Sequence, residues 1–296
     1  MDLAPNEDQT ALVDAALKWL GENMLLADAR GRDPALFQEM TEMGWIGMTC
    51  PEIGLDHATE ALVFIEMGRH LAPLAALPSA VAARWIGAAG KVALAIPDGP
   101  RLRVFDGQDT TLALGLWGGN AASVVLPGSL RPGECLDPST TLTLLETAPS
   151  PAMVSDPRAG FHLALLAAAY ALGCAETARD MAAGYANMRE QFGRQIGAFQ
   201  AIKHICADMA VRAAVARSQI YYAACALDGG SGDIAYHIAA AMRLADSAAV
   251  ANAQGNIQVH GGIGMTDEAL PHLLLKRAHL LSFVAPVATR DLLGSG

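Results

Sequence analysis

The sequence predicts a mainly α protein in which helices at both ends flank a short β-rich stretch. Apolar residues recur with helical spacing through residues 1–90 and again through 156–296. Residues 91–155 instead hold short β-prone runs separated by Gly, Pro and Asp. We therefore expect an N-terminal helical domain at 1–90, a reduced middle β-domain at 91–155 and a C-terminal four-helix bundle at 156–296.

The N-terminal helices are predicted from their capping residues. Asp8 or Thr10 can cap a first helix, because a side-chain oxygen there accepts a hydrogen bond from a free backbone N–H group. Asp33-Pro34 combines a cap with a proline at the first helical position. Two further helices are expected at 57–70 and 76–88.

The middle region is predicted to form a small antiparallel sheet or partial barrel. Its β-prone runs are 91–96, 102–105, 110–116, 122–126 and 140–145.

The C-terminal region predicts four antiparallel helices joined by short turns, at 158–188, 199–227, 233–259 and 269–281. The first contains the most apolar run of the chain, which has the length of a membrane span. It also holds His162 and continues into Glu176, Arg179 and Asp180. We therefore interpret it as a buried bundle helix and expect a protein without a membrane segment.

Composition limits the possible functions. The 296 residues are 52% hydrophobic and carry a net charge of −10, which argues against non-specific nucleic-acid binding because that requires clustered Lys and Arg. The five cysteines are scattered without metal-ligand spacing, so we expect reduced thiols, no metal and a cytoplasmic protein. The N-terminus lacks the pattern of a signal peptide.

The turn after the first bundle helix is the leading candidate for a binding site. Arg189 stands at a helix end and is followed by Gly193, Gly197 and a new helix start, an arrangement suited to an anion such as a pyrophosphate. Phe192 could cover an aromatic ring, and Gln200 could donate a hydrogen bond at the start of the next helix. An ordinary helix–turn–helix with a surface arginine is the alternative.

Several motifs in the same order resemble the acyl-CoA dehydrogenase family. They are the R-x-x-F-G-x-x-I-x-x-F-Q-x-x-K pattern from Arg189, the Q-V-H-G-G-I-G segment from Gln258, Gly44-Trp45, Pro51-Glu52 and the segment 68–73. The resemblance covers about residues 1–90 and 155–285. It implies the three-part fold described above and FAD as cofactor.

The resemblance also assigns residues to the flavin site. In the family this site is built by two subunits, one of which reaches across to the adenine and pyrophosphate end of FAD. The residues expected to do so here are Arg189, Phe192, Gln200, Gln258, Gly261 and Gly262. Glycines suit the role because a backbone without Cβ can approach phosphates closely. The alternative is that Gly261-Gly262 is only a helix C-cap and Gln258 a surface residue.

No catalytic base is expected in this chain. The two positions at which branches of the family carry the catalytic glutamate fall on Leu163 and Ala285, and neither can accept a proton. Asp267 and Glu268 follow the glycine loop and are interpreted as helix N-terminal caps. His162 and His260 are interpreted as packing or loop-bonding residues rather than bases. The family's Thr-Glu-Pro…Gly-Ser-Asp type segment, which holds flavin and substrate, is absent from the middle region.

The chain therefore resembles the short, non-catalytic subunit of heteromeric acyl-CoA dehydrogenases that act on steroid-type CoA thioesters. The resemblance implies a full-length homologous partner in an α2β2 tetramer, with the bulky acyl-CoA bound mainly by that partner. Two alternatives stay open. One is a self-sufficient homomeric dehydrogenase whose base has moved to Glu268 or Asp267. The other is a helical scaffold without flavin.

Overall fold

A computed structural model describes residues 5–128, 130–230, 233–287 and 292. The N-terminal helices are α1 (Glu7–Asn23), α2 (Ala35–Glu42), α3 (His57–Arg69) and α4 (Ala76–Ile86).

The cap of α1 differs from the prediction. Asn6, and not Asp8 or Thr10, is the N-cap: its side chain accepts from the Gln9 backbone N–H at 2.8 Å, and the Gln9 side chain accepts from the Asn6 N–H at 3.0 Å. This reciprocal capping box satisfies two free backbone donors at once. Asp8 and Thr10 consequently lie inside the helix.

The middle region forms one six-stranded mixed sheet. Its strands are β1 (Ala93–Asp98), β2 (Arg101–Phe105), β3 (Leu112–Trp117), β4 (Asn120–Val125), β5 (Leu142–Leu145) and β6 (Ala152–Met153), in the spatial order β5-β2-β1-β3-β4-β6. The prediction of an antiparallel sheet is wrong at one pair, because β1 and β3 run parallel. The β1–β2 hairpin leaves the other edge of β1 free, and β3 returns to that edge instead of pairing with β2.

Both faces of this sheet are covered. Leu94, Phe105 and Leu114 face the helices and belong to the main core of the protein. Val104 and Val124 belong to a second, smaller core on the opposite face. The sheet is thereby fixed between the helices and its own connecting segments.

The C-terminal region forms the predicted bundle. Its helices are α5 (Arg158–Met188), α6 (Gln200–Gly229), α7 (Ile234–His260) and α8 (Pro271–Leu281), and a short hairpin of β7 (Glu190–Gln191) and β8 (Arg194–Gln195) joins α5 to α6. By length and composition α5 could cross a membrane, but 94% of its most apolar window is buried inside the protein. It is the core helix that the sequence predicts. The division of the chain at residues 90 and 155 stays a prediction.

Arg277 on α8 ties the three regions together. Its fully buried guanidinium donates to Asp137 at 2.5 Å, to the Tyr170 hydroxyl at 2.5 Å and to the Ala72 carbonyl at 3.3 Å. Burial opposes ionisation of Asp137, yet Arg277 and the hydrogen bonds from Ser139 hold the pKa of that carboxyl below its usual value. A buried charge pair with this many partners fixes the relative positions of the segments that supply it.

Candidate functional site

A projecting hairpin is the first part of the candidate site, and we call residues 189–199 the arm. Arg189 ends α5: its N–H donates to the Tyr185 carbonyl at 2.9 Å, and its own carbonyl accepts from the Ile196 N–H at 2.8 Å. The Arg189 side chain is exposed and forms no ion pair with any residue that the structure describes. It is therefore available to an anion from outside the chain.

The tip of the arm is a strained two-residue turn. Phe192 and Gly193 have φ values of 53° and 76°, as a type I′ hairpin turn requires. A non-glycine residue in this left-handed region costs roughly 1–2 kcal/mol. The Phe192 side chain is also 91% exposed. The sequence predicted a glycine-punctuated turn here, and the structure adds the hairpin and its strain.

The arm is nevertheless held in a defined conformation. The Arg194 guanidinium lies 4.1 Å from the centre of the Phe199 ring, and Phe192 meets the same ring edge-on at 6.1 Å. Contacts of this kind stabilise a ring and a cation packed together. Gln200 follows at the start of α6, where its Nε2 lies 2.9 Å from the His204 Nε2. Its side chain thus has a partner within its own helix.

The second part of the site is the glycine loop, residues 258–264, at the end of α7. Gln258 is exposed on the last turn of the helix. Gly261 has φ 68° and ψ −148°, a conformation open essentially only to glycine. Its N–H caps α7 by donating to the Ile257 and Gln258 carbonyls. Gly261 is thus a helix cap, as one reading of the sequence held, and it is exposed together with Gly262.

The structure brings the arm and the glycine loop to the same end of the bundle. Tyr185, one turn before Arg189, stacks on His260, whose ring centre lies 4.1 Å away at an interplanar angle of 22°. The sequence interpretation missed Tyr185. Its spacing of four residues before Arg189, which places both on one helical face, was the available signal.

The two family positions for a catalytic base are buried in this chain and carry apolar residues. Leu163 is fully buried and Ala285 is 7% exposed. The neighbouring His162 is also fully buried: its Nε2 lies 2.5 Å from Glu60, and its Nδ1 accepts from the Trp85 indole at 3.0 Å. Burial lowers the pKa of His162, so the ring is neutral and tied into the core.

Asp267 does not have the predicted role. Helix α8 begins at Pro271, its N-cap is Leu270, and no side chain caps it. Asp267 lies further upstream and pairs with Arg30 at 2.6 Å. The hydrogen bond from Arg30 lowers the pKa of this exposed carboxyl. A solvated carboxylate with a lowered pKa is poorly matched to removing an α-proton, and Glu268 beside it is likewise exposed.

N-terminal helices, a small sheet and a helical bundle follow one another along this mainly α chain. Comparisons with known proteins show which family has this architecture. Residues 6–94 match the acyl-CoA dehydrogenase N-terminal domain, and residues 162–285 match the acyl-CoA dehydrogenase C-terminal domain. The chain is 33% identical to acyl-CoA dehydrogenase IpdE2 of Mycobacterium tuberculosis over 276 residues, which cover 86% of this chain and 83% of that protein. The chain belongs to the acyl-CoA dehydrogenase family.

Two solved structures share the fold. The steroid ACAD Tcur3481-Tcur3483 (G363A variant) aligns with a TM-score of 0.77 and 24% identity, covering 97% of this chain and 96% of that chain. The ChsE4-ChsE5 complex of Mycobacterium tuberculosis aligns with a TM-score of 0.73 and 20% identity, covering 99% and 97%. These similarities confirm the predicted fold class.

Acyl-CoA dehydrogenases use FAD, the cofactor that the sequence resemblance implies, and the residues present fit one end of it. Arg189 offers an unpaired guanidinium, which can bind a phosphate through two hydrogen bonds. The backbone of Gly261 and Gly262 is exposed, and a Cβ added at either position would have no atom of the described residues packed against it within 4 Å. Both features suit the pyrophosphate of a dinucleotide.

Proposed function

We propose that this chain is a subunit of a heteromeric FAD-dependent acyl-CoA dehydrogenase. In this proposal the arm and the glycine loop complete a flavin site on a homologous, full-length partner in an α2β2 tetramer. The partner carries the catalytic carboxylate and binds most of the acyl-CoA. The chain itself supplies no base.

The observation that carries the proposal is the conformation of Phe192. The Phe192 side chain is large, apolar and 91% exposed, and its backbone is held at positive φ. Among the described residues its one aromatic contact is the edge-on contact with Phe199. Strained residues of this kind are characteristic of ligand and partner contacts, where external interactions offset the strain. The unpaired Arg189 beside it supports the same interpretation.

The chemistry that FAD supplies when bound is acceptance of a hydride from the β-carbon of the thioester. The contribution of this chain is binding and orientation. Arg189 would hold the pyrophosphate against the exposed backbone of Gly261 and Gly262, Phe192 would cover the adenine region, and Gln200 and Gln258 would border it. Removal of the α-proton needs a carboxylate within hydrogen-bonding reach, and the nonpolar Leu163 and Ala285 leave that step to the partner.

Similar proteins support a partner and a substrate class. The ChsE4-ChsE5 structure is a complex of two differently named chains, and the Tcur3481-Tcur3483 structure is described as a steroid ACAD. A reduced middle region, here a single six-stranded sheet, would leave room for a bulky acyl group. We therefore propose a steroid-type acyl-CoA thioester as substrate.

The test is flavin retention by the complex co-purified with a homologous full-length subunit. Arg189→Ala should lower FAD affinity by about 10- to 100-fold, because a charged hydrogen bond is lost, and the visible flavin bands should disappear on gel filtration. Arg101→Ala is the matched control, since Arg101 is an exposed arginine on the sheet whose ion pair within the described part of the chain is with the exposed Glu146.

Other outcomes of the flavin-retention test would contradict the proposal, and two of them would favour one of the alternative functions. Full flavin occupancy in the Arg189→Ala complex would refute the shared site. A yellow and active chain purified alone would identify a homomeric enzyme, whose base would then be sought with Glu268→Ala and Asp267→Ala. A colourless chain in every preparation would identify a flavin-free scaffold.

A further inference from the structure

We infer that Tyr185 and His260 form a positioning pair that sets the arm and the glycine loop in register for one ligand. The inference rests on the proposed function and assigns roles to two residues that it does not use. Neither ring has to touch the flavin for this role.

Tyr185 is coupled to the backbone of the arm. It lies on the last turn of α5, and its carbonyl accepts the Arg189 N–H at 2.9 Å. Any rotation of the last turn of α5 that moves the Tyr185 ring therefore also moves the backbone that carries Arg189.

His260 lies beside the glycine loop, and its ring has two contacts. It stacks on Tyr185 at 4.1 Å, and its Nδ1–H donates to the Asn256 carbonyl at 2.9 Å. The turn at Gly264 packs so closely that an added Cβ there would lie 3.0 Å from the His260 Cβ. The next residue in the chain is Gly261, so the orientation of this ring also determines where the loop backbone points.

The surrounding interface explains why a stacked pair is needed. Helices α5 and α7 pack against each other, and both bury many alanines, including Ala178, Ala182, Ala249 and Ala253. Such small side chains allow close packing but do little to prevent one helix from sliding past the other. Asn252 fixes the register further along by donating to the Ala175 carbonyl at 3.0 Å. Tyr185 and His260 provide that restraint at the end of the bundle that bears the candidate site.

The pair can be tested by titrating the deflavinated heteromeric complex with FAD and, separately, with FMN, following flavin fluorescence. FMN lacks the adenylate half that the arm and loop would hold. His260→Ala and Tyr185→Leu should each weaken FAD binding by about tenfold and leave FMN binding unchanged. His260→Phe, which retains a stacking ring, should bind FAD within about twofold of the unmodified complex.

Three results would overturn the inference. They are FAD binding by His260→Ala equal to that of the unmodified complex, His260→Phe as weak as His260→Ala, or a parallel loss of FAD and FMN that reflects general disruption. Arg189→Ala measured in the same series separates the two proposals. If Arg189→Ala weakens FAD binding and the ring variants do not, only the positioning pair fails; if Arg189→Ala has no effect, the proposed function itself fails.

Discussion

The surroundings of Arg277 and of Arg189 are opposites within one bundle. Arg277 is fully buried and reaches four partners, Asp137, Tyr170, Ser139 and the Ala72 carbonyl. Arg189 is exposed, forms no ion pair with a described residue, and stands three residues before a strained, exposed phenylalanine. The contacts of Arg277 all lie within the folded chain and stabilise it. The exposure of Arg189 and the strain at Phe192 do not stabilise the described fold, and this difference is the reason for proposing a binding role at the arm.

Replacing Arg277 should have the largest effect on stability. Arg277→Ala leaves the Asp137 carboxylate buried without its cation, and breaking such a pair costs about 3–5 kcal/mol. Urea unfolding of the chain should show this loss, while Arg189→Ala should stay within about 0.5 kcal/mol of the unmodified chain. Comparable losses in the two variants would remove the contrast between the two sites.

Replacing Phe192 should stabilise the isolated chain rather than destabilise it. Asn tolerates the left-handed region better than Phe, so Phe192→Asn should raise the free energy of unfolding of the isolated chain by up to about 1 kcal/mol. In the complex the same change should reduce flavin retention. The buried Phe64 is the control, since Phe64→Ala should lower stability by about 3–5 kcal/mol. A Phe192→Asn chain that is clearly less stable would mean that Phe192 serves its own fold.

A small stabilising effect is expected at Gly184, an exposed glycine inside α5. An added Cβ there meets no atom within 4 Å, so Gly184→Ala should raise stability by about 0.5–1 kcal/mol through helix propensity alone. Gly173 on the same helix is the matched control, because its added Cβ would collide with the Ile65 carbonyl and should destabilise the chain. Chemical denaturation measures the free energy of unfolding of both variants. A Gly184→Ala chain that is less stable than the unmodified chain would contradict the open space at this position.

Features that depend on neighbouring residues were predictable from the sequence, and those that depend on distant pairs were not. The ends of α5 and α7 lie within a residue of their predicted positions, because helical periodicity and terminal glycines are local signals. The parallel β1–β3 pair and the Arg277–Asp137 pair, whose members are 140 residues apart, follow no spacing rule.

The candidate site divides in the same way. The motif around Arg189 and the one around Gly261 could each be found by inspection, but their connection through Tyr185 and His260 required the packing of α5 against α7. The binding roles of Arg189, Phe192, Gln200, Gln258, Gly261 and Gly262 stay predictions until flavin binding is measured.

The separation of 140 positions between Asp137 and Arg277 also has a consequence for synthesis on the ribosome. At roughly 5–20 residues per second, the segment that bears Asp137 emerges on the order of 7–28 s before its arginine. During that interval the carboxylate lacks the guanidinium that pairs with it in the folded chain, so this link between the middle region and α8 cannot form. Final closure of the fold therefore waits for α8, and a nascent chain stalled before residue 277 would lack the contacts that α8 makes with α5 and α7.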